Sequence, residues 1–348
     1  MRGVFLKNAW YVVAWDHEVG RDLRPITVLG ERIVLYRTEA GDAVALEDAC
    51  PHRKLPLSMG RLRGDEVECG YHGLVFDCSG RCTHMPGVEI VPPGARVRGY
   101  PLASRYGLVW IWMGDAERAD PAQIFPVEHW DDPAWGRNRG GSMTVACNYL
   151  YVTDNLLDPT HVAWVHASSF GGAACEAEPV HSVLSAQGVV ASRWMRDVEV
   201  APFYASLVRF KGNCDRLQHY EVRFPSHAII RAVFAPAGTG GIDRPTHPDA
   251  MIMDSYNFMT PIDAGHTRYF WFQTRNFGSG DDALSTLMDD AVRAAFAEDK
   301  VILEAVHAGF ETKWTPHIDL ASDRSPLQFR RRLKQMIAAE QPRTPPAA

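Results

Sequence analysis

Residues 50–72 read CPHRKLPLSMGRLRGDEVECGYH, and this stretch decides the first half of the fold. It holds a C-x-H (Cys50, His52), a spacer of sixteen residues, and a C-x-x-H (Cys69, His72). Each half offers one thiolate and one imidazole where a strand meets a turn, with Pro51 or Gly70 alongside. Two similar loops can clasp one object from two sides. A tetrahedral Cys2His2 zinc site is one candidate. Structural zinc usually draws Cys with Cys and His with His, whereas every unit here is mixed. Mixing suits a [2Fe–2S] centre in which two Cys hold one iron and two His the other, and the neutral imidazoles raise its reduction potential.

Short strand-like runs surround the motif: RIVLYRT, AVALEDA, EVECGYHGLVFD and GLVWIWMG, each bounded by Gly, Asp or Pro. Regular short strands predict a small all-β module. The polar stretch GDAERADPAQ (114–123) marks a boundary, which gives domains of 1–115 and 116–340 and a disordered tail at 341–348. MTVACNYLYV then reads as a strand. GVVASRWM, SHAIIRAVFAP, DSYNFMTP and TRYFWFQTRNF follow as strands. A long helix comes next, with Asp281 or Asp282 as N-cap. Its apolar stripe runs through Leu284, Met288, Val292, Ala295, Phe296, Ile302, Leu303 and Val306. The class is therefore α+β.

The 348 residues are 46% hydrophobic and 22% charged, which suits a soluble globular protein. A net charge of −6 argues against nucleic acid as a partner. No apolar run approaches a membrane span, and the N-terminus lacks a cleavage site for export, so a cytoplasmic location is expected. Seven cysteines without an export signal argue against a disulfide framework.

Residues 154–166, DNLLDPTHVAWVH, pack two acids and two histidines into an otherwise apolar run. Burying such groups requires compensation. His161 and His166 are five apart, about 140° on an ideal helix, so Pro159 must start or distort a helix for both rings to meet one metal. Asp158 lies one turn before His161 and can accept a proton from its non-ligating nitrogen. A third, carboxylate ligand would complete the 2-His-1-carboxylate site of Fe(II) oxygenases. In AFAEDKVILEAV, Asp299 falls on the apolar stripe, while Glu298 and Lys300 read as solvated. A structural ion pair with an arginine is the rival reading of Asp299.

Residues 1–115, through NAWYVVAW and the cluster motif with its continuation GLVFD, resemble the Rieske domain of Rieske non-heme iron oxygenases. The likeness is to the O-demethylase branch, typified by the oxygenase components of vanillate O-demethylase, dicamba O-demethylase and toluenesulfonate methyl-monooxygenase. Cys78 and Cys82 fall outside the ligand pattern and read as structural thiols. DNLLDPTHVAWVH is similar to the family's iron motif, D-x2-H-x4-H, and EDK to the segment that supplies its third ligand. The resemblance implies a Rieske [2Fe–2S] cluster on Cys50, His52, Cys69 and His72. It implies a mononuclear Fe(II) on His161, His166 and Asp299, so that iron compensates the charged segment.

The resemblance also implies a helix-grip-like catalytic domain, an antiparallel sheet covered by helices. Electrons would come from NAD(P)H through a separate ferredoxin or flavin reductase. A head-to-tail homotrimer would bring His72 of one subunit to Asp158 and His161 of the next, with Asp158 as the acid between iron sites and Asn155 facing the iron. O2 and a small aromatic acid would be the substrates, the latter vanillate-like or related, hydroxylated or O-demethylated. Arg231 and Asn257 lie on strands similar to pocket-lining strands of relatives and are the candidate substrate contacts. Ring cis-dihydroxylation is the alternative reaction. A Rieske electron carrier fused to a non-catalytic binding domain is the alternative of another class.

Overall fold

The computed structural model describes residues 4–171, 178–241, 244, 246–312 and 315–341. Cys175 and the tail from 342 lie outside them. The chain forms two compact units. The first comprises residues up to Phe125 with Thr260–Ala264 and Glu340. It thus runs past the boundary read at 115, because Trp10 Nε1 donates to the carbonyl of Asp120 at 2.9 Å and holds the following turns to the body.

Three small antiparallel sheets build this unit. One pairs Trp10–Trp15 with Leu108–Trp112, and that with Leu102–Arg105. A second is the meander Arg24–Val28, Glu31–Arg37 and Ala43–Glu47. The third runs Arg61–Arg63, Glu66–Glu68, Val75–Phe76 and Cys82–His84. EVECGYHGLVFD is therefore two short strands with a loop between them.

The second unit, Pro126–Met259 with Gly265–Ala339, is built on one eight-stranded sheet. Gly136–Arg137 and Gly141–Val145 both pair with Thr267–Arg275. The order then runs through Met251–Pro261, His227–Pro236, Cys214–Arg223 and Gly188–Val198 to His181–Leu184. MTVACNYLYV is strand only as far as Val145. Asn148 ends it, accepting from Leu150 N at 3.1 Å as the N-cap of helix α1 (Tyr149–Asn155).

The long helix spans Asp282–Thr312. Asp281 is its cap, accepting from Leu284 N at 2.9 Å. Met288, Val292, Ala295, Asp299 and Leu303 form its buried line at helical spacing. Ile302 and Val306, read as part of that stripe, are exposed, because the buried face drifts toward Leu303. A second helix, Arg324–Glu340, buries Phe329, Leu333 and Ile337 at i, i+4, i+8. No helix among the described residues is long and apolar enough to cross a membrane.

Candidate metal centres

The two loops of the first unit are built alike. Cys50 N donates to Leu55 O at 2.9 Å, and Lys54 N to Cys50 O at 2.8 Å. Cys69 N donates to Leu74 O at 2.8 Å, and Gly73 N to Cys69 O at 3.1 Å. The same position in each loop takes a left-handed backbone: Lys54 at φ 61° and Gly73 at φ 69°. Gly70 is required for another reason. A Cβ there would stand 2.8 Å from Met59 O, so the second loop meets the segment after the first backbone to backbone.

This twinning presents the four side chains unequally. Cys50 and Cys69 are 2% exposed, within a core that includes Val34, Leu57, Val67 and Phe76. Burial pushes the Cys50 thiol up, and the neighbouring Cys69 adds to the rise. Two thiols packed together in an apolar core gain little as thiols, whereas iron takes them as thiolates. His52 and His72 lie at the surface with ring centroids 4.4 Å apart. A buried thiol pair beneath an exposed imidazole pair fits a cluster with one inner and one outer iron. Cys78 is exposed and Cys82 is buried with Sγ 3.3 Å from His84 O, and neither belongs to this set. All six described cysteines are free.

In the second unit the metal motif is not one helix. After α1 the chain turns through Pro159 and makes a single short helix α2, Val162–Val165, with His161 at its N-cap and His166 at its C-cap. The two rings flank one turn of helix, which removes the angular problem of a five-residue spacing. Their centroids are 5.4 Å apart. Asp299, 5% exposed on the long helix, completes the group. One ligand atom from each of the three lies within 4.8 Å of the others.

Each imidazole is gripped from outside and open inside. His161 Nδ1 meets the backbone carbonyl of Asp158 at 2.5 Å, and His166 Nδ1 meets Glu298 Oε2 at 2.7 Å. The Nε2 atoms then face Asp299 Oδ1 at 3.7 Å for His161 and 3.1 Å for His166. Oδ1 is buried and accepts no hydrogen bond. Burial by itself would lower the pKa of His166, but the carboxylates of Asp299 and Glu298 outweigh it and hold the ring above its ordinary value. Two held histidines and an unspent carboxylate oxygen are a donor set suited to Fe(II) with open positions.

Several readings from sequence change here. The Asp158 group that meets His161 is its main-chain carbonyl. The carboxylate instead accepts from Thr160 N at 2.9 Å and from the Thr160 hydroxyl, an Asx-type turn that starts α2. Glu298 is not simply solvated, since it orients His166. Asp154 is compensated by an arginine rather than by a metal. Arg330 grips it with Nε 2.9 Å from Oδ1 and Nη2 on Oδ2. Asn155 ends α1 and is not part of the cavity lining.

The three donors open on a cavity of about 700 Å³, its open mouth included. Leu156, Val162, Val292, Ala295 and Phe296 line it from the helical side. Its floor is the sheet, and strand alternation decides which residues reach it. Rungs Met195–Arg216–Phe234, Arg193–Gln218–Ala232–Met253 and Ala191–Tyr220–Ile230–Ser255 face it. Arg231 borders the cavity, but it sits on the alternate rung with His219 and Asp254, and its side chain runs to the other face of the sheet. There it is held by Asp254 through Nε and Nη2, each at 2.7 Å, and by Glu128 at 2.6 Å. Its guanidinium is thus already engaged by two carboxylates. Asn257 is fully buried, donating to Ser255 O at 2.9 Å and accepting from Tyr269 OH at 2.8 Å, and is core rather than lining.

Both halves of the chain match known proteins. Residues 9–100 match the Rieske [2Fe-2S] domain, and residues 145–339 match the vanillate O-demethylase oxygenase C-terminal domain. The chain is 36% identical over 349 residues to the toluene-4-sulfonate monooxygenase system iron-sulfur subunit of Comamonas testosteroni, covering 99% of this chain and 100% of that one. It is 36% identical over 346 residues to a vanillate O-demethylase oxygenase subunit of Pseudomonas sp. (strain HR199 / DSM 7063), covering 97% and 96%. Its fold matches the crystal structure of dicamba monooxygenase bound to 3,6-dichlorosalicylic acid, with TM-score 0.88 and 29% identity over 97% of this chain and 99% of that one.

Proposed function

The chain belongs to the vanillate O-demethylase oxygenase family, and on that footing we propose that it oxidises a methyl group carried by a small aromatic acid. Membership makes it a Rieske-type oxidoreductase, the terminal oxygenase component of a multicomponent system acting on aromatic substrates. Its cofactors are a [2Fe–2S] cluster and a mononuclear non-heme iron.

The observation that carries the reading is the convergence of His161, His166 and Asp299, with inward atoms unspent, on one apolar-walled cavity. A binding domain without chemistry has no use for such a set. Cys50, His52, Cys69 and His72 would hold the cluster, and the triad would hold the iron. These centres supply a stored electron and the activation of O2. The protein's own part is to seat the methyl carbon beside the triad and exclude water with Val162, Ile230, Val292 and Phe296. A methoxy carbon hydroxylated there collapses to a phenol and formaldehyde.

Electrons come from NAD(P)H through a ferredoxin or flavin reductase, and the free thiols suit a cytoplasmic setting. The working assembly is a head-to-tail homotrimer, a heterologous ring, in which His72 of one subunit meets Asp158 of the next. Two exposed faces support this: the His52–His72 edge of the first unit, and on the second the indole of Trp164, 74% exposed between the two iron-binding histidines. The test is a panel of methoxy- and methyl-substituted benzoates and benzenesulfonates with a surrogate reductase. Substrate-dependent O2 uptake with stoichiometric formaldehyde from a methoxybenzoate is the expected result. O2 uptake with a cis-diol product would replace this reading with ring dihydroxylation.

A further inference from the structure

One buried polar group in the cavity has no use for itself. Gln218 is 2% exposed on the floor rung, directly across from Arg193 on the neighbouring strand. Its Oε1 accepts from Arg193 Nε at 2.7 Å. Arg193 is itself buried, and donates from Nη2 to Pro159 O at 3.0 Å and from Nη1 to Glu178 O at 3.1 Å. A guanidinium only donates, so the carboxamide must turn its oxygen toward Arg193. That turns the NH2 away from Arg193 in a side chain that lines the cavity, and Nε2 is buried with no hydrogen-bond partner among the described residues. A buried donor without an acceptor is a standing cost. Ala232 and Met253, which share its rung, are apolar and offer none, and the polar lining residues Arg216, Tyr220 and Ser255 make no hydrogen bond to it.

Resting on the reading of this cavity as the seat of an aromatic substrate, we propose that Gln218 is the contact that selects for an acid group on that substrate. Its Nε2 donates to an oxygen of the substrate's carboxylate or sulfonate. Arg193 is the positioning residue that fixes which end of the amide is presented. A donor locked in this way favours a group with acceptor oxygens only over a neutral ring with none. It also pins one end of the ring, which limits the carbon that reaches the triad.

The test is equilibrium binding to the iron-loaded protein, followed by tryptophan fluorescence or calorimetry. The probes are 4-methoxybenzoate, 4-methoxybenzenesulfonate and the neutral analogue methoxybenzene. Gln218→Glu is the diagnostic variant, since it keeps an acceptor for Arg193 while deleting the NH2 and adding an anion. Gln218→Leu removes the amide altogether. The expected result is a loss of acid affinity of at least tenfold in the leucine variant and loss of measurable acid binding in the glutamate variant. Methoxybenzene should change less than twofold in both. The two acids distinguish carboxylate from sulfonate as the preferred group. Acid affinity unchanged in the glutamate variant overturns the role of Gln218 and leaves the aromatic reading intact, as does wild type binding methoxybenzene as tightly as the acids. Wild type binding none of the three overturns both.

Discussion

Glu298 Oε2 stands 2.7 Å from Nδ1 of His166, and the next residue, Asp299, faces Nε2 of the same ring at 3.1 Å. Two adjacent side chains on one helix thus reach opposite edges of one imidazole. In the proposed iron site the outer one would fix the ring's tautomer and aim, and the inner one would share its metal. Glu298→Gln should therefore weaken iron binding by about 10–100-fold, read by iron titration of metal-depleted protein. The visible spectrum of the cluster should not change. An unaltered iron affinity would make the Glu298 contact incidental.

Asp299→Ala should go further. It removes the buried oxygen that accepts no hydrogen bond. The mononuclear iron and O2 consumption should be lost while the cluster's absorption and acid-labile sulfide remain. Retention of the third iron per chain would show that the ligand is another group.

Asp158→Asn separates two roles. Its carbonyl, which holds His161, is untouched by the substitution, and an amide oxygen still accepts from Thr160. Both metal centres should load normally. If the carboxylate links centres on neighbouring subunits, turnover should fall by at least tenfold, since a neutral amide is a weaker acceptor. Single-turnover oxidation of the reduced cluster is the direct readout, and a normal rate removes Asp158 from the electron path.

Mixing two dead variants tests the assembly. Cys50→Ala should lack the cluster and Asp299→Ala should lack the iron. Co-expressed with different tags and purified through both, mixed assemblies should regain a fraction of wild-type turnover. Within-chain transfer predicts none, provided that the doubly tagged protein carries both centres by metal and sulfide analysis.

Arg330→Ala breaks the pair that compensates Asp154. Breaking a fully buried pair costs about 3–5 kcal/mol. Both side chains here are more than a quarter exposed, so the loss should be smaller, about 1–3 kcal/mol in denaturant unfolding. Adding Asp154→Asn should recover part of it, because burial already pushes the Asp154 carboxyl upward and only the arginine opposes that. No recovery would mean that Arg330 acts through packing on Tyr151, over whose ring it lies.

What the sequence made legible follows from what is local. The Cys-His pairs and the two histidines are set by spacing within a loop, and Asp299 is conspicuous as an acid on an apolar line. Partners drawn from other elements are not legible in this way. Nothing near Asp154 announces Arg330, and the helix that carries it was not among the elements read from the pattern. Glu298 looks solvated because half of it is. The strand Cys214–Arg223 escaped for a clearer reason: CDRLQHYEVR is polar on both faces, so its alternation has no apolar signal. Arg216 and Gln218 point into the cavity, and Asp215, His219 and Glu221 point away from it. Polarity on the inner face is what function asks of that wall, and it is also what hid the strand. Arg231 attracted attention instead, one residue out of phase with the floor.

Arg193 joins two things that otherwise share no atom. One nitrogen holds the Pro159 carbonyl in the turn that carries His161, and another holds the amide of Gln218. If a metal held by His161 shifted that turn, Arg193 is the group through which the shift would reach the floor donor, and the same contacts would carry a pull in the other direction. Where the two are coupled in this way, reciprocity requires that an acid change the metal's affinity by the same factor by which the metal changes the acid's. The four binding constants form a closed square, and three of them fix the fourth.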